Sequence, residues 1–281
     1  MEALPTPGEF VRTLAPALDQ AAAIATALQG RVPNVPKAGE STAVKAALTI
    51  ADTAAQEALL VPLLARFRAV RLEAEEATHS VELFTGAAPS HRIVVDPIDG
   101  TLHFYLAGRG LYAVMAGFAI AERFEAAVVA LPREALRFEA VRGGGARRAR
   151  PGGTSEPARC TTSGNRLFLS DGVPDAIEAR LCAEGFAIDR ACGGAVALAP
   201  LVPGVRGGLR VSKYATISAR GRIPTLIARE GGALVETAAG EPFPDSLDAP
   251  ATSLVVASDR ETAAAIQKAL RAGSSGAALR A

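Results

Sequence analysis

The chain has 281 residues, enough for one large domain or two packed halves around a sizeable core, and its formal net charge of +1 lacks the basic surplus of a general nucleic-acid binder. Hydrophobic residues make up 49%, yet no apolar run reaches the roughly 18 residues of a transmembrane helix, and the start MEALPTPGEF shows no secretory signal. These features point to a cytoplasmic protein without nucleic-acid or membrane partners.

Phe10, Leu14, Leu18, Ala21 and Ile24 recur at three- and four-residue spacing and predict an amphipathic helix over residues 9–28. Pro and Gly break the pattern through residues 30–39. A second long helix is predicted over residues 42–67, with Val44, Leu48, Ala51, Ala55 and Leu59 on one stripe and Pro62 expected to kink it or end it early. A short strand at 70–72 leads into Glu73-Ala74-Glu75-Glu76. The apolar run Ile93-Val94-Val95 reads as a buried strand, 92–95, that runs straight into Asp96.

Further strands are predicted at 111–120, 124–131 and 136–141, ending at the Gly143-Gly144-Gly145 turn, so the first half reads as helices packed on an antiparallel meander. A polar stretch, 145–157, separates it from an alternating pattern: strand 166–170, helix 174–184, strand 186–189, helix 194–201, helix 223–230, strand 253–257 and helix 260–271. Residues 272–281 read as a mobile tail. Two halves, residues 1–150 and 151–281, are expected to meet near residue 150, where active sites commonly lie.

Three cysteines (Cys160, Cys182, Cys192) without CxxC spacing give no disulfide framework or zinc site, and His79, His91 and His103 lack the spacing of helical metal ligands. Arginines cluster at 142–150 and 206–222, and such clusters ordinarily read as solvated loops.

The informative stretch is Asp96-Pro97-Ile98-Asp99-Gly100-Thr101. Two carboxylates three residues apart follow a buried strand, Pro97 stiffens the exit, and Gly100 permits a backbone conformation that other residues resist. Two buried anions this close need a compensating cation, and hard oxygen ligands favour Mg²⁺ or Mn²⁺ over zinc. Alone, such a stretch more often reads as an Asx-rich turn with Gly at a special dihedral. Thr49-Ile50-Ala51-Asp52 and Ala74-Glu75-Glu76 upstream add further acids in a definite order. The succession Thr-x-x-Asp, Glu-Glu, Asp-Pro-Ile-Asp-Gly-Thr resembles the signature of the inositol monophosphatase family, with the turn at 143–146 and Arg190-Ala191-Cys192-Gly193-Gly194-Ala195 as later landmarks.

The resemblance implies a layered αβαβα sandwich (α/β, or α+β) that forms homodimers and hydrolyses a small phosphomonoester with Mg²⁺, Mn²⁺ being an alternative ion. It implies that Glu75, Asp96 and the Ile98 carbonyl ligate a first ion and that Asp96 and Asp99 contribute to a second. Asp52 and Thr101 would orient and activate the attacking water, with Glu75 part of the catalytic set. Gly100 and Thr101 would offer N–H donors to the phosphate, Gly193, Gly194 and Ala195 would contact substrate, and Glu76 would support the ligands from behind or assist a further metal.

The sequence departs from that pattern at one ligand. Family members carry a Trp-Asp element about a dozen residues before an Ala-Gly-Gly turn; here Ser218-Ala219 stand at that place, the chain has no Trp, and no acid occurs between Asp189 and Glu230. Three readings follow: a weak second metal site, a cation such as Lys213, Arg220 or Arg222 in the metal's place, or a ligand-binding or regulatory protein without turnover. A bisphosphate phosphatase using the arginines at 206–222 is a further alternative. His103 replaces a usual Asn, as a substrate contact or a packing residue, and Gly194 a usual Ser or Thr, which suggests a non-inositol substrate or altered specificity; Phe104 and Tyr105 read as packing residues.

Overall fold

Thr6 and Glu9 form a capping box, with the Glu9 carboxylate accepting the Thr6 N–H at 2.7 Å, and helix α1 (Pro7–Leu28) starts from it. In this computed structural model, which describes residues 4–277 and side chains through residue 272, Phe10, Leu14, Leu18 and Ala21 are buried as their spacing requires. Ile24 is only half-buried, and Ala25 takes the inward position.

The single helix expected over 42–67 is two helices, α2 (Ala43–Ala46) and α3 (Ile50–Phe67). Thr49 leaves helical geometry (φ −128°, ψ 166°) and forms a second capping box with Asp52, so Asp52 stands in the first turn of α3. In the sequence the apolar spacing keeps its phase across the gap, which hides the break from periodicity, although Val44 itself is exposed. Pro62 lies within α3 and does not end it.

Helices α1 and α3 cover one face of a seven-stranded sheet: β1 (Val70–Glu73), β2 (Ala88–Asp99), β3 (Ala113–Ile120), β4 (Arg123–Leu131), β5 (Leu136–Val141), β6 (Ala146–Ala149) and β7 (Glu156–Pro157), in that spatial order. Strands β1 and β2 are parallel, and β2 to β7 form an antiparallel meander. Strand β2 is three times the length expected, and β6 and β7 occupy the stretch read as a polar linker.

The second sheet contains β8 (Arg166–Leu169), β9 (Ala187–Arg190), β10 (Val205–Val211), β11 (Leu234–Glu236) and β12 (Ser253–Ala257), in the order β11-β12-β10-β8-β9. Its central strand, β10, lies in the region read as a basic loop, because Arg206, Arg210 and two glycines mask an otherwise apolar alternation. Helices α4 (Asp175–Ala183) and α7 (Arg260–Ala277) pack on its outer face over Leu167, Leu169, Leu209 and Val255, with Ile266 of α7 in the same cluster. Helices α5 (Gly193–Leu198) and α6 (Ile223–Glu230) fill the space between the two sheets. The result is the expected five-layer αβαβα sandwich. Helix α7 continues through 272–277, assigned above to the tail; 278–281 lie outside the described residues. No helix among the described residues is long and apolar enough to cross a membrane.

Asp259 starts α7: its carboxylate accepts the Thr262 N–H at 2.8 Å, the Ser258 hydroxyl at 2.8 Å and Arg206 at 3.0 Å. Burial works to raise its pKa, but these donors outweigh it and hold the carboxyl well below the ordinary aspartate range. Asp259→Ala is expected to cost about 1–2 kcal/mol in urea unfolding near neutral pH. Because the folded-state pKa lies below that of the unfolded chain, this contribution is present above the ordinary aspartate pKa and is lost as pH falls through the folded value. The difference between the two proteins should therefore shrink in acid.

Candidate active site

Regular pairing of β2 with β3 fails at the motif: Asp96 pairs with Met115 and Asp99 with Ala113, so three steps on β2 match two on β3. Pro97, with no N–H to give the ladder, falls inside this bulge. Gly100 follows at φ 90°, and a Cβ there would lie 2.7 Å from the Phe104 ring and 2.9 Å from Cys192 Cβ, so only glycine fits. The chain then enters one π-helical turn, Thr101–Leu106.

A cleft of about 520 Å³ opens at this point, and Glu75, Asp96, Ile98, Asp99, Gly100 and Thr101 line it. Gly193, Arg210, Lys213, Ser218 and Arg220 complete the opposite wall. Asp52 lies behind the lining, 1% exposed. Its Oδ2 accepts the Thr49 N–H and hydroxyl at 2.7 Å each, and its Oδ1 lies 2.9 Å from Thr101 Oγ1. The Thr101 hydroxyl also lies 2.9 Å from the Ile98 carbonyl. Burial raises the Asp52 pKa against these hydrogen bonds. Asp52 is thus fixed by its own helix cap and linked to the cleft through one hydroxyl.

Asp96 is 5% exposed, and its Oδ1 has no hydrogen-bond partner. Burial first, then Glu75 and Asp99, push its carboxyl well above the usual range, opposed by Arg220, whose Nε lies 4.0 Å from Asp96 Oδ2. The Glu75 Oε1 has Lys37 Nζ at 3.9 Å and Arg220 Nη2 at 3.8 Å. Asp99 Oδ2 accepts the Gly194 N–H at 2.6 Å. Glu76 is 4% exposed, bonded to Lys37 at 2.7 Å, and its main chain is clasped by Gln56; it does not line the cleft.

A buried carboxylate oxygen without a donor is what a cation ligand looks like before the cation arrives. Asp96, with Glu75 and the Ile98 carbonyl, suits one hard divalent ion. A second ion would find fewer protein donors, since Asp99 Oδ2 already accepts the Gly194 N–H and residue 219 is Ala. Nowhere among the described residues do three His, Cys, Asp or Glu side chains gather as a metal site, so the first ion too would depend on the Ile98 carbonyl.

Gly193 lines the cleft, whereas Gly194 and Ala195 are buried behind its wall. A Cβ at Gly194 would lie 2.9 Å from Met115 Sδ, so a serine or threonine hydroxyl has no room here without movement. Cys192 caps α5 and borders the cleft, but burial and then Asp99 push its thiol far up, leaving it a weak nucleophile. His103 stands at the rim, 3.6 Å from Asp171. Tyr105 is a packing residue, its hydroxyl donating to the Ala25 carbonyl at 2.8 Å, while Phe104 is 5% exposed and touches the cleft.

The basic cluster divides in a way its composition does not reveal. Arg206 pairs with Asp259, Arg222 is 2% exposed and bonded to main-chain carbonyls, and neither lines the cleft. Neither can hold a second phosphate or replace a metal. Arg210, Lys213 and Arg220 do face it. Lys37, beside Glu75, has no sequence signal, since it comes from the Pro/Gly-bearing segment folded back by the Lys37 N–H bond to the Ala46 carbonyl at 2.8 Å.

The family model described as "Inositol monophosphatase family" matches residues 11–199. Among solved structures, the extragenic suppressor protein suhB of Bartonella henselae superposes with a TM-score of 0.72 at 17% identity, covering 92% of this chain and 97% of its own. The Thermotoga maritima IMPase gives 0.66 at 16% identity, covering 91% and 95%. Mycobacterium tuberculosis SuhB gives 0.64 at 20% identity, covering 94% and 97%. No curated protein matches the chain by sequence.

Proposed function

This chain belongs to the inositol monophosphatase family, and from that premise we propose that it hydrolyses a small phosphomonoester in the Asp96 cleft, drawing on one Mg²⁺. The observation that carries this reading is the meeting, in one cleft, of an unsatisfied buried carboxylate at Asp96 with the Asp52–Thr101 hydroxyl link. Glu75, Asp96 and the Ile98 carbonyl would hold the ion, which when bound would polarise the phosphoryl oxygens and acidify a nearby water.

The chain's own residues supply the rest. Thr101 Oγ1, donating to Asp52 Oδ1, is left to accept a hydrogen bond from a water at the cleft floor. That water attacks phosphorus and passes a proton through the Thr101 hydroxyl to Asp52. As the ester P–O bond breaks, the departing alkoxide takes a proton from solvent, so the alcohol and inorganic phosphate are the products and Asp52 returns its proton to solvent. Arg220 gives the phosphoryl group fixed positive charge, and Arg210 braces the turn that carries it. The polar and basic rim of Lys45, Lys213 and Ser212 suits sugar, inositol, nucleotide or amino-alcohol phosphates.

Purified protein is expected to release inorganic phosphate from a panel of such esters only when Mg²⁺ is supplied. Asp52→Asn should lower kcat by about a hundredfold with little change in KM, because it removes a proton acceptor and leaves the cleft lining intact. Since burial raises the Asp52 pKa, the acid limb of kcat should lie above the ordinary aspartate range and vanish in the variant. Release of no phosphate from any ester, with Mg²⁺ or Mn²⁺ present, would leave the ligand-binding reading in its place.

A further inference from the structure

The turn Arg220–Arg222 directly follows Ser218-Ala219, where the missing acid should be, and it is tied down from three sides. Arg222 grips it from the interior through the Ile217 and Ser246 carbonyls, at 3.0 Å and 2.7 Å. The Gly221 N–H donates to Ser218 Oγ at 3.4 Å. Arg210 Nη1 donates to the Gly221 carbonyl at 3.3 Å, its guanidinium in a slot that exists because residue 193 has no side chain; a Cβ there would lie 2.1 Å from Nη1.

So held, Arg220 reaches both carboxylates proposed as ion ligands, Glu75 at 3.8 Å and Asp96 at 4.0 Å. These separations are charge contacts without hydrogen bonds, so its N–H groups remain available to a phosphate oxygen. Lys37, the other cation near Glu75, is already bonded to Glu76 at 2.7 Å. One divalent ion together with Arg220 matches the charge of Glu75, Asp96 and Asp99, while the fourth carboxylate of the lining, Asp171, stands by His103 at the rim.

We infer that Arg220 is the resident cation of this cleft: it supplies, as part of the fold, the charge a second divalent ion would bring, and the site takes one ion rather than two. Arg210 acts as a positioning residue for it. The inference rests on the metal-dependent reading above and specifies how that site is charged.

Direct Mn²⁺ titration, followed by electron paramagnetic resonance of the free ion, tests it without reference to turnover. Wild-type protein should bind one Mn²⁺. Arg220→Gln, which removes a like charge from beside two ligands, should bind it about tenfold more tightly, and Arg220→Lys should stay near wild type. Two tight ions in the wild type, or an unchanged affinity in Arg220→Gln, would overturn the inference while leaving the phosphatase reading standing. No bound Mn²⁺ in any of the three proteins would overturn both. The wild-type count decides by itself should Arg220→Gln fail to fold.

Discussion

Asp96→Asn is expected to reduce phosphate release at least about a thousandfold while raising the melting temperature of the metal-free protein. A thousandfold loss corresponds to about 4 kcal/mol of transition-state stabilisation, a magnitude appropriate to the loss of a charged ligand at the reacting centre. The gain in stability has the same origin. Asp96 is buried, its Oδ1 has no donor, and Glu75 and Asp99 add like charge, so without an ion its carboxylate is a cost to the fold. An amide keeps the shape and removes the charge, which should raise the melting point by a few degrees, about 1 kcal/mol. Added Mg²⁺ should stabilise the wild type by mass action and do nothing for the variant. Thermal scans with and without Mg²⁺, alongside kcat, check both halves. Turnover within tenfold of wild type would remove Asp96 from the centre of the mechanism.

The parts of this molecule that were legible in the sequence are those where a local pattern has one structural solution. The meander could be read from 111 to 141 because short β-rich runs are separated by turn signals, and Asp96–Thr101 could be read because Thr49-x-x-Asp52 and Glu75-Glu76 precede it in a definite order. The break at Ala47–Thr49 was less visible because the apolar stripe keeps its phase across it, although Thr49-x-x-Asp52 is itself a helix-start signal. That pair does two jobs: it begins α3 and fixes the carboxylate that meets Thr101. Strand β10 was hidden for a different reason. Its arginines resemble a solvated loop, but Arg206 finds Asp259 at the start of α7 and Arg210 lies against Gly193, partners far away in sequence. Composition cannot distinguish a solvated arginine from one whose acceptors arrive only with the tertiary fold.

Arg222 is the clearest case, and Arg222→Ala is expected to destabilise the protein by about 3–5 kcal/mol, a large share of the stability of an ordinary domain. Its guanidinium donates to the Ile217 carbonyl at 3.0 Å, the Ser246 carbonyl at 2.7 Å, Thr216 Oγ1 at 3.3 Å and the Ala249 carbonyl, and it stacks over Phe243 at 5.3 Å. Burial lowers its pKa, but with so many acceptors it remains charged. Truncation would leave carbonyls of two loops without donors and open a cavity against Phe243. Lysine should recover little, since one ammonium cannot span acceptors on both sides of a planar fork. Urea unfolding gives the stability change, and KM separates the two roles this residue could have. A phosphate-holding arginine would raise KM and leave stability alone. A structural clamp lowers stability and reaches the cleft only by loosening the turn that carries Arg220. A stability loss below about 1 kcal/mol would mean that the 216–222 and 246–249 loops hold together without it.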